Sequence, residues 1–90
     1  MKHVIKRHGH KENFDERKLY ASLFASCLAA SMSENEAELV SEKVTQQVRE
    51  HLEKNNDPMT SEQLLKTASA ALEQYSKAAG ILYRHHKDLR

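Results

Sequence analysis

The side chains able to do chemistry in this chain of 90 residues gather at its two ends. Near the start stand Lys6, Arg7, His8, Gly9 and His10; near the end stand Arg84, His85, His86 and Lys87. The histidines invite a metal reading, but neither group has the i, i+4 helical spacing or the three-to-five-residue gap of zinc pairs. Cys27 is the only cysteine, so no thiolate can complete such a site and no intrachain disulfide can form. Exposed turn and tail histidines are expected, and no functional metal. Gly9 and Gly80 lie 71 residues apart, which excludes the glycine-rich phosphate loops. No Ser or Cys has a recognisable nucleophile context, and the acidic residues of the middle segment read as a solvated helix face. No catalytic residue is assigned, and the chain does not read as an enzyme.

What remains is charge. Residues 1–18 carry net +3, residues 19–62 net −5 and residues 63–90 net +3, within an overall +1. A fold that lays the first segment beside the last helix would merge the basic ends into one local site for a small anion. The plainer alternative is that these cations solvate the ends, with Arg84, Lys87 and Arg90 favouring a helix C-terminus. Direct DNA binding is not expected, because the chain is nearly neutral and no helix carries a row of Lys and Arg.

The elements that must position these residues are mostly helical. Ninety residues suffice for one domain, and 39% hydrophobic content with two glycines and one proline describes a helix-rich chain with a thin aliphatic core. Residues 3–14 read as a β-hairpin turning at His8-Gly9, where a two-residue loop would pair Lys6 with Lys11 and Ile5 with Glu12. Period two then sets Ile5, Arg7, Glu12 and Phe14 on one face and Val4, Lys6, Lys11 and Asn13 on the other. Helices follow at about 15–31, 33–54, 60–75 and 76–88. Asp15 is the expected first cap; Ser33 to Glu36 and Thr60 to Gln63 are capping boxes. The apolar rows are Leu19, Leu23, Cys27 and Ala30; then Ala37, Val40, Val44, Val48 and Leu52; then Leu64, Ala68, Ala71 and Tyr75. Ala78, Ile81, Leu82 and Tyr83 belong to the last helix, in which Gly80 sits where alanine would suit a helix better. No stretch approaches a membrane span or the apolar core of a signal peptide, and a cytoplasmic, reducing location is the expectation.

With these elements laid out, Val4-Ile5-Lys6-Arg7-His8-Gly9 followed by Glu12-Asn13-Phe14-Asp15-Glu16-Arg17-Lys18-Leu19 resembles the opening signature of the ATP-cone family. Met59-Thr60-Ser61-Glu62 is similar to that family's short strand and helix start, and Ala79-Gly80-Ile81-Leu82-Tyr83-Arg84 to its closing helix. The resemblance spans roughly residues 3–88 and implies a mainly α, α+β fold: a four-helix bundle capped by an N-terminal β-hairpin and a short third strand. It implies a regulatory module of the kind found in ribonucleotide reductases and in the repressor of their genes. Such a module takes ATP or dATP between hairpin and bundle, with Mg2+ as companion to the triphosphate. It would signal through homo-oligomerisation or docking on a protein target such as a reductase or regulator.

By position, Lys6, Arg7 and Lys87 match the family's phosphate-side cations, and Val4, Glu12, Asp15, Lys18 and Thr60 match positions lining the nucleotide. Ile5, Phe14 and Leu19 would supply apolar walls. Each also has a plainer use. Lys6 and Lys11 suit a strand edge, Arg7 and Glu12 could pair, and Asp15 and Thr60 could be caps alone. His8 stands where the family has Asp or Asn, and Leu64 where some reductase cones carry a histidine. The competing function is a nucleotide-free helical protein–protein interaction or dimerisation module.

Overall fold

The computed structural model describes residues 3–5, 11–54 and 59–88, and each of its helices starts on a side-chain oxygen. Asp15 Oδ1 accepts from the backbone N–H groups of Arg17 at 3.0 Å and Lys18 at 3.3 Å, opening α1, Glu16–Ala29. Ser33 Oγ accepts from Glu36 N at 3.2 Å at the start of α2, Glu34–Lys54. Thr60 caps α3, Ser61–Glu73, and Ser76 Oγ accepts from Ala79 N at 3.1 Å at the start of α4, Lys77–Asp88. Ser76 explains how α3 and α4 part without a glycine or proline between them: a hydroxyl competes for the backbone where the chain must turn. The α1–α2 turn closes in a Schellman pattern, Ser31 N to Leu28 O at 3.0 Å and Met32 N to Cys27 O at 3.1 Å. Ser31 takes φ 70° there, a position glycine usually fills.

Three short strands complete the described fold: β1, His3–Ile5; β2, Lys11–Asn13; and β3, Met59–Thr60. Their order is β2-β1-β3, with β1 antiparallel to β2 and parallel to β3. The register corrects the expected hairpin by one residue: Ile5 pairs with Lys11 rather than Glu12, and Val4 with Glu12 rather than Asn13. A two-residue loop needs an even number of residues between paired positions, whereas five, residues 6–10, separate Ile5 from Lys11. The His8-Gly9 turn itself and the Asn55–Pro58 break lie outside the described residues. The shift has a packing reason. Val4 is buried and is the register partner of buried Met59, and Phe14, two positions beyond Glu12, is half-buried against the same core. The observed register puts Val4 and Phe14 on one face, where the expected one had separated them.

Mainly helical architecture is borne out. α1 packs most extensively on α2 and α3 on α4, while α1 also meets α4 and α2 meets α3. Leu19, Leu23 and Cys27 of α1 face Ala37, Val44, Val48 and Leu52 of α2 in one buried cluster with Met59, Ala68, Leu72, Ala79 and Tyr83. Burial pushes the Cys27 thiol up, with the Ser41 hydroxyl acting weakly the other way, as suits a packing residue rather than a nucleophile. Arg49 of α2 reaches Glu16 of α1 in an exposed ion pair.

In α3 Leu64, Ala68 and Ala71 of the expected row meet the core, and only Tyr75 does not. Tyr75 is exposed because α3 stops at Glu73, and fully buried Leu72 takes its place in the row. Among the residues whose burial is described on α4, Ala79, Gly80 and Tyr83 are buried, whereas Ala78, Ile81 and Leu82 are exposed. Gly80 decides this. A Cβ there would overlap Glu73 Cγ and stand 3.1 Å from Ser69 O and 3.2 Å from Glu73 Cα. The missing side chain lets α4 lie against the backbone of α3, so Gly80 tightens the closing helix that propensity alone said it would loosen.

Two outcomes follow from this packing. Gly80→Ala should destabilise the fold by about 1–3 kcal/mol through overpacking, despite alanine's better helix propensity, and a higher midpoint in urea unfolding would refute the close approach. Burial raises the Tyr83 phenol to about 12 from its ordinary 10.0. The folded chain therefore holds this proton where the unfolded chain has lost it. Stability is intact below pH 10, falls as pH rises from 10 to 12, and loses about 2–3 kcal/mol across that window. Tyr83→Phe should remove that part of the alkaline slope in pH-dependent urea titrations; an unchanged slope would show the phenol is not the group responsible.

Candidate functional site

β1 lies between the other two strands, and its two registers align residues from separate parts of the chain. One row across the sheet is Lys11, Ile5 and Thr60; the next is Glu12, Val4 and Met59. Thus five of the positions expected to line or wall a ligand, Val4, Ile5, Glu12, Phe14 and Thr60, fall in or next to one small sheet. The edge strand β3 runs directly into α3, so Thr60 is at once the last strand residue and the helix cap.

Thr60 is held at both its polar ends. Its Oγ1 accepts from Gln63 N at 3.1 Å, and its own N–H donates to Gln63 Oε1 at 2.9 Å, the reciprocal box expected from Thr60 to Gln63. A hydroxyl that accepts one bond keeps its O–H to donate. The first-turn N–H groups of α3 have no partner within the helix, which makes its start a donor-rich end.

The α1 start offers the complementary set. Asp15 is exposed and committed through Oδ1 to the cap, while Lys18, one turn into the helix, is exposed and in no ion pair with any described residue. Leu19 follows Lys18 into the same buried cluster that receives Met59, the neighbour of Thr60. Val4 and Leu19 are sealed in the core, at 4% and 6% exposure. Lys6 and Arg7 lie outside the described residues, as do the side chains of Ile5, Glu12 and Lys87. Among the described residues no group of three or more His, Cys, Asp and Glu could hold a metal ion. No described helix is long and apolar enough to cross a membrane.

Sequence reasoning missed Gly80 as a contact residue and the Glu16–Arg49 pair. Neither leaves a local signal: the first depends on how close another helix comes, and the second joins residues 33 apart in the chain.

Compared with known families, residues 2–89 match the ATP cone domain. The chain belongs to this family. The match takes in both strands of the antiparallel pair, β3 and all four helices. No curated relative matches the chain. ATP cones as a family bind ATP or dATP.

Thr60→Ala should cost about 1 kcal/mol of stability by opening the capping box, and Thr60→Ser should restore most of it. Urea denaturation of the two variants checks this; equal losses would show that the methyl group, rather than the hydroxyl, holds the α3 start.

Proposed function

We propose that this ATP cone is a regulatory adenine-nucleotide module that holds ATP or dATP between its sheet and helices and has no catalysis of its own. The match over essentially the whole chain carries the reading. The alignment of Ile5 with Thr60 across β1 and β3 supports it, because it ties the strand leading to Lys6 and Arg7 to the donor-rich start of α3. In this reading the helices form a bundle with the sheet as its cap. Lys6, Arg7 and Lys87 meet the phosphates, with Mg2+ alongside, and Lys18 and Thr60 donate to the sugar or base. Glu12 accepts from the adenine amine or holds the cations in place.

A triphosphate brings roughly four negative charges, and in the absence of a P-loop they must be met by converging side-chain cations and backbone donors. The basic first and last segments supply the cations, while the acidic segment between them keeps the whole chain near neutrality. The site then discriminates a small polyanion from a nucleic acid backbone. Regulation requires that the nucleotide prefer one of two states. Docking on a protein target related to ribonucleotide reductase, or on a second copy in the cytoplasm, provides them. Ile81 and Leu82, at 40% and 39% exposure on α4, are the apolar surface for that contact.

Titration calorimetry with ATP, dATP, ADP and GTP, together with light scattering, tests the reading. Adenine-specific heat should weaken at least tenfold in Lys6→Ala/Arg7→Ala, with no phosphate released. A folded chain that gives no heat with any nucleotide would establish the nucleotide-free interaction module instead. Nucleotide turnover abolished by Lys6→Ala would overturn the non-catalytic part.

A further inference from the structure

Between α1 and α2 runs an open groove of about 510 Å3. That volume lies within the range of small-ligand sites. α1 lends Glu16, Arg17 and Tyr20; the α2 side is Glu42, Thr45, Gln46 and Arg49, spaced i, i+3, i+4 and i+7 and so on one face. No lining residue belongs to a strand, to α3 or to α4; the groove shares the first turn of α1 with the proposed nucleotide site but none of its residues, and it does not depend on that reading.

Its two ends differ in what they leave unsatisfied. At one end Arg49 bonds Glu16 across the groove, so that charge is matched. At the other end Glu42, Thr45 and Gln46 offer acceptors beside Tyr20, with Arg17 as the groove's second cation. Glu42 makes no ion pair with any described residue. Glu42 and Tyr20 line the groove together, and burial, then Glu38 and Glu42, push the Tyr20 phenol up. Thr45 is only 6% exposed, and its Oγ1 has no hydrogen-bond partner. The Gln46 amide nitrogen donates to Glu50 at 3.1 Å, leaving its carbonyl oxygen as a further acceptor.

A buried hydroxyl without a partner is uncommon, because it forfeits the hydrogen bond that water would have supplied. The group that answers a carboxylate, a hydroxyl oxygen, an amide oxygen and an aromatic face together is a compact cation with several N–H donors. We propose that the Tyr20, Glu42 and Thr45 end of the α1–α2 groove binds a primary alkylammonium group. Two sources share that chemistry, a free polyamine and a lysine side chain of a partner protein. The ammonium sits against the Tyr20 ring, charge-paired with Glu42. Thr45 Oγ1 reaches it by rotation about χ1, for which a helical threonine has two favoured rotamers.

The test is an NMR titration of the full, nucleotide-free chain at physiological salt with putrescine, spermidine, Nα-acetyl-lysine amide and Nα-acetyl-arginine amide. Saturable shifts centred on Tyr20, Glu42 and Thr45 are expected, weakened at least tenfold in Glu42→Gln and several-fold in Thr45→Val. Glu34→Gln, at the far end of α2, should leave them unchanged. Equal response to the lysine and diamine probes assigns the site to a partner's lysine; response to the diamines alone assigns it to free polyamine. Shifts spread along α2 and reduced equally by Glu34→Gln would overturn the proposal as unspecific attraction to an acidic helix. So would arginine amide binding as tightly as lysine amide, or no shift with any amine. Thr45→Val that raises stability without changing binding would remove the hydroxyl from the site.

Discussion

The parallel pairing of Val4 with Met59 determines where the two ends of the chain's long middle segment meet. β1 and β3 are separated by more than 50 residues, including β2, α1 and α2, yet they lie side by side with both partners buried. Strands of two or three residues have little stability of their own, so the pairing persists because its apolar side chains enter the helical core. Once Val4 is seated, the direction of β1, the position of β2 and the alignment of Ile5 with Thr60 follow. The start of α3 is thereby brought beside the strand that leads to Lys6 and Arg7.

What the sequence made legible was local. Caps depend on one side chain and the few amides after it, so Asp15, Ser33 and Thr60 announced their helices. The first two apolar rows were equally readable, because α1 and α2 are long enough for periodicity to separate core from solvent. The hairpin register was not. It depends on the length of the loop and on a distant partner, Met59, and one residue of slip exchanges the faces of a strand. The buried face of α4 was not legible either: Gly80 carries no apolar signal, but its bare backbone is where α3 and α4 meet, and this turns Ile81 and Leu82 outward. In the candidate site, the capping role of Thr60 could be read locally. Its alignment with Ile5 could not, because that needs two strands from opposite halves of the chain.

The core has a polar character that composition only hinted at. Ser26, Ser41, Thr45 and Ser69 are buried beside small apolar residues. Ser26 and Ser69 return their hydroxyls to the backbone, to Ser22 O at 3.0 Å and Lys66 O at 3.2 Å, whereas Ser41 and Thr45 on α2 do not. Small hydroxyl residues allow helices to approach closely at little cost in volume, which suits a chain with five aromatic residues and no tryptophan. These two hydroxyls, neither of them bonded to the backbone, show where that economy is incomplete. Both lie on α2, the helix shared by the α1 and α3 contacts.

These features bear on how a chain this small can transmit a signal. Its sheet is short, its core is thin, and its proposed ligand contacts come from the first segment, the starts of α1 and α3, and the end of α4. In the proposed reading a ligand that touches all of these at once ties the short strands to the helices, and it stabilises their joint arrangement in proportion to the logarithm of its saturation. The same short strands that contribute little stability alone are therefore suited to respond to occupancy. The long α1–α2 pair, joined by its core row and the Glu16–Arg49 contact, can stay as it is. Binding energy is then spent on the relation of sheet, α3 and α4, and α4 is the helix whose outer face leaves Ile81 and Leu82 uncovered. In the proposed function, nucleotide occupancy at one end of that helix and partner contact along its side would be two influences on one element, which is the physical requirement for coupling them.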